Sequence, residues 1–279
     1  MTIPLVELGG RGPVLALACA NGFPPDTYRP MVASLLDRWR VVVLPPRALW
    51  PGIGAPPERP GTWESLAEDL MDGLEAHDLR DVVAVGHSFG AISWVLGATR
   101  RPGRIRALAL LDPTLLPPAT MAEIRAEQAR GGEALFTLVQ SALKRRRRFP
   151  SVDEAFTYWR GRPLFADWPA DSLRRYAEAM LEPAADGEGL ELRWTPEWEA
   201  WYYRSFYAKT WDDVARLDPA MPLLALRGAT SDTFLPDAAT LLAAQAPWGS
   251  HHEVPGGHLF PQSHPGEASH ALTAFLERL

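Results

Sequence analysis

Ser88, His258 and Asp232 are the residues whose types and placement could do chemistry together. Ser88 lies in Gly86-His87-Ser88-Phe89-Gly90, a GxSxG pattern between the apolar run at 82–85 and a helical stretch reaching about Thr99. A strand that runs straight into a helix must reverse sharply, and glycines two residues before and after the serine relieve the crowding at that corner. The corner would lift the Ser88 hydroxyl clear of a sheet. It would also leave the Phe89 N–H free at the helix start, as one donor to a developing oxyanion. A serine hydroxyl is a poor nucleophile at neutral pH, so this reading requires an imidazole beside it.

The imidazole is expected after a late strand, and VPGGHLF at 254–260 puts His258 in a glycine-rich loop in that position. His87, next to the serine, is expected to point away from the hydroxyl and pack structurally. His77 falls at a helix end, and His251, His252, His264 and His270 read as surface residues. The acid that orients the imidazole should follow an earlier strand. LLALRGATSDTF offers Asp232, the favoured candidate, four residues beyond Gly228. Asp112, directly after the apolar run IRALALL, is the rival, and Asp237 is the next acidic residue after Asp232. Chain order runs serine, aspartate, histidine for each. The second oxyanion donor is expected to be the Phe23 N–H, in Asn21-Gly22-Phe23-Pro24 after the apolar run at 14–20.

These residues need a scaffold, and the chain alternates short apolar runs with amphipathic stretches, as βα units around a parallel sheet do. Strands are expected at 3–8, 14–20, 41–44, 82–85, 105–112, 223–228 and 251–254. Helices are expected at 28–38, 62–79, after Ser88, at 236–245 and at 267–279. From about Thr114 to Asp213 the pattern changes to successive helical segments with no convincing strand, EALFTLVQSALKR among them. Trp159, Trp168, Trp194, Trp198, Trp201 and Trp211, more than half of the chain's 11 tryptophans, lie there. A helical insertion rich in large aromatics suggests a lid over a pocket, and a small subdomain also needs such side chains to bury enough area. Trp94, on the helix after Ser88, reads as core. KRRRR at 144–148 reads either as a solvated helix end or as a grip on an acidic substrate group.

Composition narrows the function classes. The formal charge of −6 opposes nonspecific binding to nucleic acid. Cys19 is the single cysteine, which rules out an intrachain disulfide and a cysteine metal cluster and fits a reducing compartment. The start MTIPLVELGGRG lacks the features of a signal peptide, and no apolar run approaches the length of a membrane span. A cytoplasmic protein is expected. ELGGRG has the spacing of neither a phosphate loop nor a dinucleotide fingerprint, and no HExxH-like pairing stands out. No cofactor and no metal are expected.

GHSFG at 86–90, Asp232, PGGH ending at His258 and the helical, aromatic stretch after Asp112 together resemble the α/β-hydrolase fold family. The likeness is to its helical-cap branch of esterase, lipase and epoxide-hydrolase relatives, and it spans nearly the whole chain. It implies a mostly parallel central sheet flanked by helices, with residues 1–113 and 214–279 forming the core and 114–213 a cap. It also implies a serine enzyme, because relatives that open epoxides or remove halide use an aspartate where this chain has Ser88. Where the family usually shows histidine-glycine in the oxyanion loop, this chain has Asn21-Gly22, which keeps the backbone donors. The expected activity is hydrolysis of carboxylic esters of apolar small molecules through an acyl-enzyme. Cleavage of carbon–carbon bonds in β-diketone-like compounds, of lactones or of thioesters is the alternative, and a pocketed ligand-binding protein is the alternative without catalysis. The sequence leaves the oligomeric state open.

Overall fold

The computed structural model describes residues 3–133 and 135–279. Seven strands form its main sheet: β1 (Val6–Gly9), β2 (Val14–Ala18), β3 (Arg40–Val43), β4 (Val82–His87), β5 (Ile105–Leu111), β6 (Leu223–Gly228) and β7 (Ser250–Val254). Their order is β1-β3-β2-β4-β5-β6-β7, with β1 antiparallel to β3 and every other pair parallel. Strands β4 and β6 are buried throughout, as their continuous apolar runs require when helices cover both faces. The edge strand β7 reads SHHEV and buries only Val254, so polar side chains can face water there.

Helix α1 (Trp63–Ala76) begins at Thr62, whose hydroxyl accepts from the Glu64 N–H, and it buries Trp63, Leu66, Leu70, Met71 and Leu74. It packs beside α2 (Phe89–Arg100), which is buried along almost its whole length. Trp94 is fully buried on α2, and its Nε1–H donates to the Val85 carbonyl at 3.2 Å.

The helix expected at 28–38 is broken into a 3₁₀ turn (Pro25–Tyr28), one α-turn (Arg29–Val32) and a second 3₁₀ turn (Ala33–Leu35). Pro25 and Pro30 sit in the first turns of the first two pieces, where a missing N–H is tolerated.

Between β5 and β6 lie α3 (Pro118–Ala129), α4 (Phe136–Leu143), α5 (Val152–Arg160), α6 (Ala170–Met180), α7 (Pro196–Arg204) and α8 (Thr210–Val214). Ala134, within the EALFTLVQSALKR stretch, lies outside the described residues, as do Met1 and Thr2. Contrary to the sequence reading, this region also holds strands: Leu190–Leu192 pairs antiparallel with Arg148–Phe149 on one side and Leu181–Pro183 on the other. Segments of two or three residues are too short to show the period-two alternation that marks a strand. Two tryptophans fasten this insertion to the sheet domain: the indole N–H groups of Trp198 and Trp201 donate to the carbonyls of Gly54 and Arg59, while that of Trp211 donates to Leu116 within the insertion.

The last helices, α9 (Pro236–Gln245) and α10 (Pro265–Leu276), return the chain to the sheet. The carboxyl ends of β2, β4, β5, β6 and β7 all meet one crevice under the insertion, where ligands of open α/β sheets bind.

Candidate active site

Ser88 stands between β4 and α2 with φ 59° and ψ −125°, a conformation that L-residues seldom adopt. The tight corner explains both flanking glycines. A Cβ on Gly86 would come within 2.4 Å of the Ala91 Cα, and one on Gly90 within 2.6 Å of the Ala18 and Cys19 carbonyl oxygens. Ser88 Oγ lies 3.0 Å from His258 Nε2 and 3.0 Å from Thr114 Oγ1. On the far side of the ring, His258 Nδ1 lies 2.7 Å from Asp112 Oδ1. With Asp112 ionised, Nδ1 carries the proton and donates, leaving Nε2 to accept from the serine hydroxyl.

This row corrects the expectation that Asp232 would orient His258. Asp112 is fully buried, directly past β5. Its Oδ2 accepts from the Gly228 N–H at 2.7 Å, and its Oδ1 also accepts from the Ser231 hydroxyl at 2.6 Å. Strands β5 and β6 are neighbours, so both candidate carboxylates leave the sheet side by side. Two donors, one at the end of β6 and one just past it, hold Asp112 beneath the imidazole, and Ser231, one residue before Asp232, is the second. Asp232 itself is exposed, accepts from the Thr233 hydroxyl at 3.2 Å and faces the cavity. Asp237 lies in the first turn of α9 and is exposed.

The two expected oxyanion donors differ in their prior commitments. As the first residue of α2, Phe89 has no intrahelical carbonyl for its N–H. The Phe23 N–H closes a turn onto the Ala20 carbonyl at 3.2 Å, so a ligand oxygen would have to share it. Asn21, at the site of the family's usual histidine, donates from Nδ2 to the Glu199 carbonyl on α7 at 2.9 Å. The oxyanion loop is thereby tied to the insertion.

His87 is fully buried and turns away from the serine hydroxyl, as expected. Its Nε2 lies 2.9 Å from the His258 carbonyl and its Nδ1 lies 2.9 Å from the Tyr28 hydroxyl, which accepts from the Ala20 N–H at 2.8 Å. A carbonyl only accepts, so Nε2 carries the proton and Nδ1 receives the Tyr28 O–H. This chain links the oxyanion loop to the loop that carries His258.

Burial, reinforced by the neighbouring His258, holds the His87 pKa well below its ordinary 6.5. The native state keeps the ring neutral while the unfolded chain protonates it, so His87 removes stability as pH falls below about 6.5. Between pH 7.5 and 5.5 this one group is expected to remove about 1.4 kcal/mol. Urea unfolding of wild type and His87→Asn between pH 7.5 and 5.5 checks it: the variant should lose stability less steeply, and parallel slopes would refute the assignment.

Sequence reasoning missed Thr114, Ser231 and Tyr28. The Asp112-Pro113-Thr114 and Ser231-Asp232 neighbourhoods hinted at the first two, whereas nothing local links Tyr28 to a histidine 59 positions later.

Over the row opens a cavity of about 650 Å³. Trp63 and Phe89 from the core and Tyr158, Trp159 and Phe165 from the insertion contribute to its walls. Of the six tryptophans between Thr114 and Asp213, Trp159 reaches this lining, while Trp194 and Trp198 are buried in packing. Among the described residues, no group of three or more His, Cys, Asp or Glu side chains could hold a metal ion. Among the same residues, no helix is long and apolar enough to cross a membrane.

A strained serine at a strand–helix corner, an imidazole in hydrogen-bond reach and a buried carboxylate behind it can together generate and stabilise an acyl-transfer nucleophile. The pattern that defines the alpha/beta hydrolase family matches residues 17–271, and the chain belongs to that family. It is 24% identical over 267 residues to a putative carbamate hydrolase, RutD, of Caulobacter segnis, covering 95% of this chain and 91% of that protein. It is 27% identical over 321 residues to epoxide hydrolase A of Mycobacterium tuberculosis, covering 99% and 94%. Among solved structures, E-2-(acetamidomethylene)succinate hydrolase superposes with a TM-score of 0.77 at 21% identity, over 98% of this chain and 94% of that one. Family membership makes the chain a hydrolase by class.

Proposed function

We propose that the protein is a serine hydrolase that cleaves carboxylic esters of small, largely apolar molecules through an acyl-enzyme. The observation that carries this reading is the row Ser88 Oγ, His258 and Asp112, with separations of 3.0 and 2.7 Å, at the base of an aromatic-lined cavity. Ser88 attacks the acyl carbon while His258 Nε2 takes the hydroxyl proton. Asp112 stabilises the imidazolium and holds the ring in its productive tautomer. The oxyanion receives the Phe89 N–H and a share of the Phe23 N–H. His258 then returns its proton to the departing alcohol. Water, deprotonated by the same ring, attacks the acyl-enzyme and releases the acid and Ser88.

The serine at position 88 argues against epoxide opening, for which the family resemblance implies an aspartate. Aromatic walls favour an apolar acyl or alcohol group, and the cavity volume suits a small molecule. A chain-length series of p-nitrophenyl esters tests the reading, together with a fluorophosphonate probe and peptide mass analysis. Turnover with an optimum at one acyl length, and probe mass on the peptide holding Ser88, are expected. Folded protein silent toward every ester, or labelled elsewhere, would overturn the proposal.

A further inference from the structure

The insertion's wall of the cavity carries positive charge that ester hydrolysis does not use. Lys144, Arg145, Arg146 and Arg162 all line it, in a chain whose net charge is −6. The carboxylates on the same lining are Glu199 and Asp232.

The four cations are committed to different degrees. Arg145 bonds to the Glu199 carboxylate and, at 2.8 Å, to the Tyr176 hydroxyl. Burial works against its charge, yet Glu199 and Tyr176 outweigh that and raise its pKa. Arg146 pairs with Glu154, and its guanidinium stands 5.5 Å from the centre of the Tyr158 ring. Arg162 stands 4.3 Å from the centre of that same ring. Two like charges sharing one aromatic ring repel, and Glu154 answers only one of them. Among the described residues, no carboxylate lies within ion-pair distance of Arg162 or of Lys144.

Lys144 alone would be explained as a cation at the C-terminus of α4. Arg162 reaches the same cavity from the C-terminal end of a different helix, α5, and a helix-terminus role for each does not account for both lining one cavity. A cavity with a nucleophile at its base and, on its lining, two cations that no carboxylate answers is built for a ligand with a reactive end and an anionic end.

We propose that the substrate carries a carboxylate, separated from its scissile acyl carbon by an apolar spacer, and that Lys144 and Arg162 bind that carboxylate. The inference rests on the hydrolase reading above and names the substrate class for the same site. Arg162 presents a planar fork that matches a carboxylate, and Lys144 adds a compact charge. The aromatic walls receive the spacer. Asp232, facing the cavity from the loop after β6, repels the anion from the core side and so favours one orientation.

Binding to Ser88→Ala protein isolates this site from turnover. The probes are the half-ester 4-nitrophenyl hydrogen adipate and its neutral counterpart, methyl 4-nitrophenyl adipate, titrated by calorimetry. The half-ester is expected to bind about tenfold tighter, the scale of two partly solvated ion pairs. The preference should shrink as salt rises from about 50 to about 500 mM. Adding Lys144→Gln and Arg162→Gln should reduce it to within about twofold. Both side chains are exposed, so thermal melts should stay near those of Ser88→Ala protein. Equal or weaker binding of the half-ester, no binding of either probe, or a preference that survives both substitutions would overturn the inference. Failure of wild-type protein to hydrolyse esters would count against the hydrolase reading instead and leave the binding result standing.

Discussion

Ser88→Ala is expected to lower turnover of the best p-nitrophenyl ester by about four to six orders of magnitude. The substitution removes one oxygen, together with its contacts to His258 Nε2 and Thr114 Oγ1. No other hydroxyl replaces it in line with the ring: Thr114 Oγ1 bonds to the serine oxygen, and His258 Nε2 has that same oxygen as its partner. The residual rate would come from water acting in a site that still offers the Phe89 N–H and the cavity walls. The strained backbone at φ 59° costs alanine about what it costs serine, so the thermal midpoint should move by only a few degrees. Steady-state kinetics beside a melting curve reads both quantities. A variant retaining more than about a tenth of wild-type turnover would eliminate Ser88 as the nucleophile.

Asp112→Asn should cost about four orders of magnitude in kcat, against a few-fold at most for Asp232→Asn. Asparagine preserves shape at position 112 but can no longer stabilise an imidazolium. The Gly228 N–H can only donate, so the asparagine oxygen is drawn to it in the place of Oδ2, and the amide takes the place of Oδ1, facing His258 Nδ1 and the Ser231 hydroxyl, which can turn to accept. Nδ1 must then accept, the proton moves to Nε2, and the ring can no longer take the serine proton. At Asp232 the carboxylate is exposed and makes one side-chain contact, with Thr233, so neutralising it perturbs the cavity's field alone. Parallel kcat measurements over a pH range on both variants decide the matter. A large loss in Asp232→Asn with a small one in Asp112→Asn would return the acid to Asp232.

Much of the scaffold was readable because its causes are local. The strand β4 and the helix α2 follow from an apolar run, two glycines and a helical period within some twenty consecutive residues, and the Ser88 corner lies between them. His258 was equally visible, since its loop follows a short strand and its glycines are adjacent in sequence. Helix α1 emerged from its threonine cap and leucine spacing. The helix expected at 28–38 folds instead as three short 3₁₀ and α turns, a break that no residue type within the segment announces.

By itself the sequence determined the kind of protein: a parallel sheet, a helical insertion, a serine at a strand–helix corner and a histidine near the end. These depend on composition and short-range periodicity, which every segment carries within itself. Tertiary structure alone decided between Asp112 and Asp232, because both follow apolar strands and both precede His258 in the chain. The choice went to the carboxylate that the Gly228 N–H and the Ser231 hydroxyl could satisfy in a buried setting, donors more than a hundred positions away from Asp112. Tertiary structure likewise sorted the five charges at 144–148, pairing Arg145 with Glu199 and Arg146 with Glu154 while bringing Lys144 and Arg162 to the lining of one cavity. Charge is written residue by residue, but whether a charge is neutralised depends on which distant group folding sets beside it.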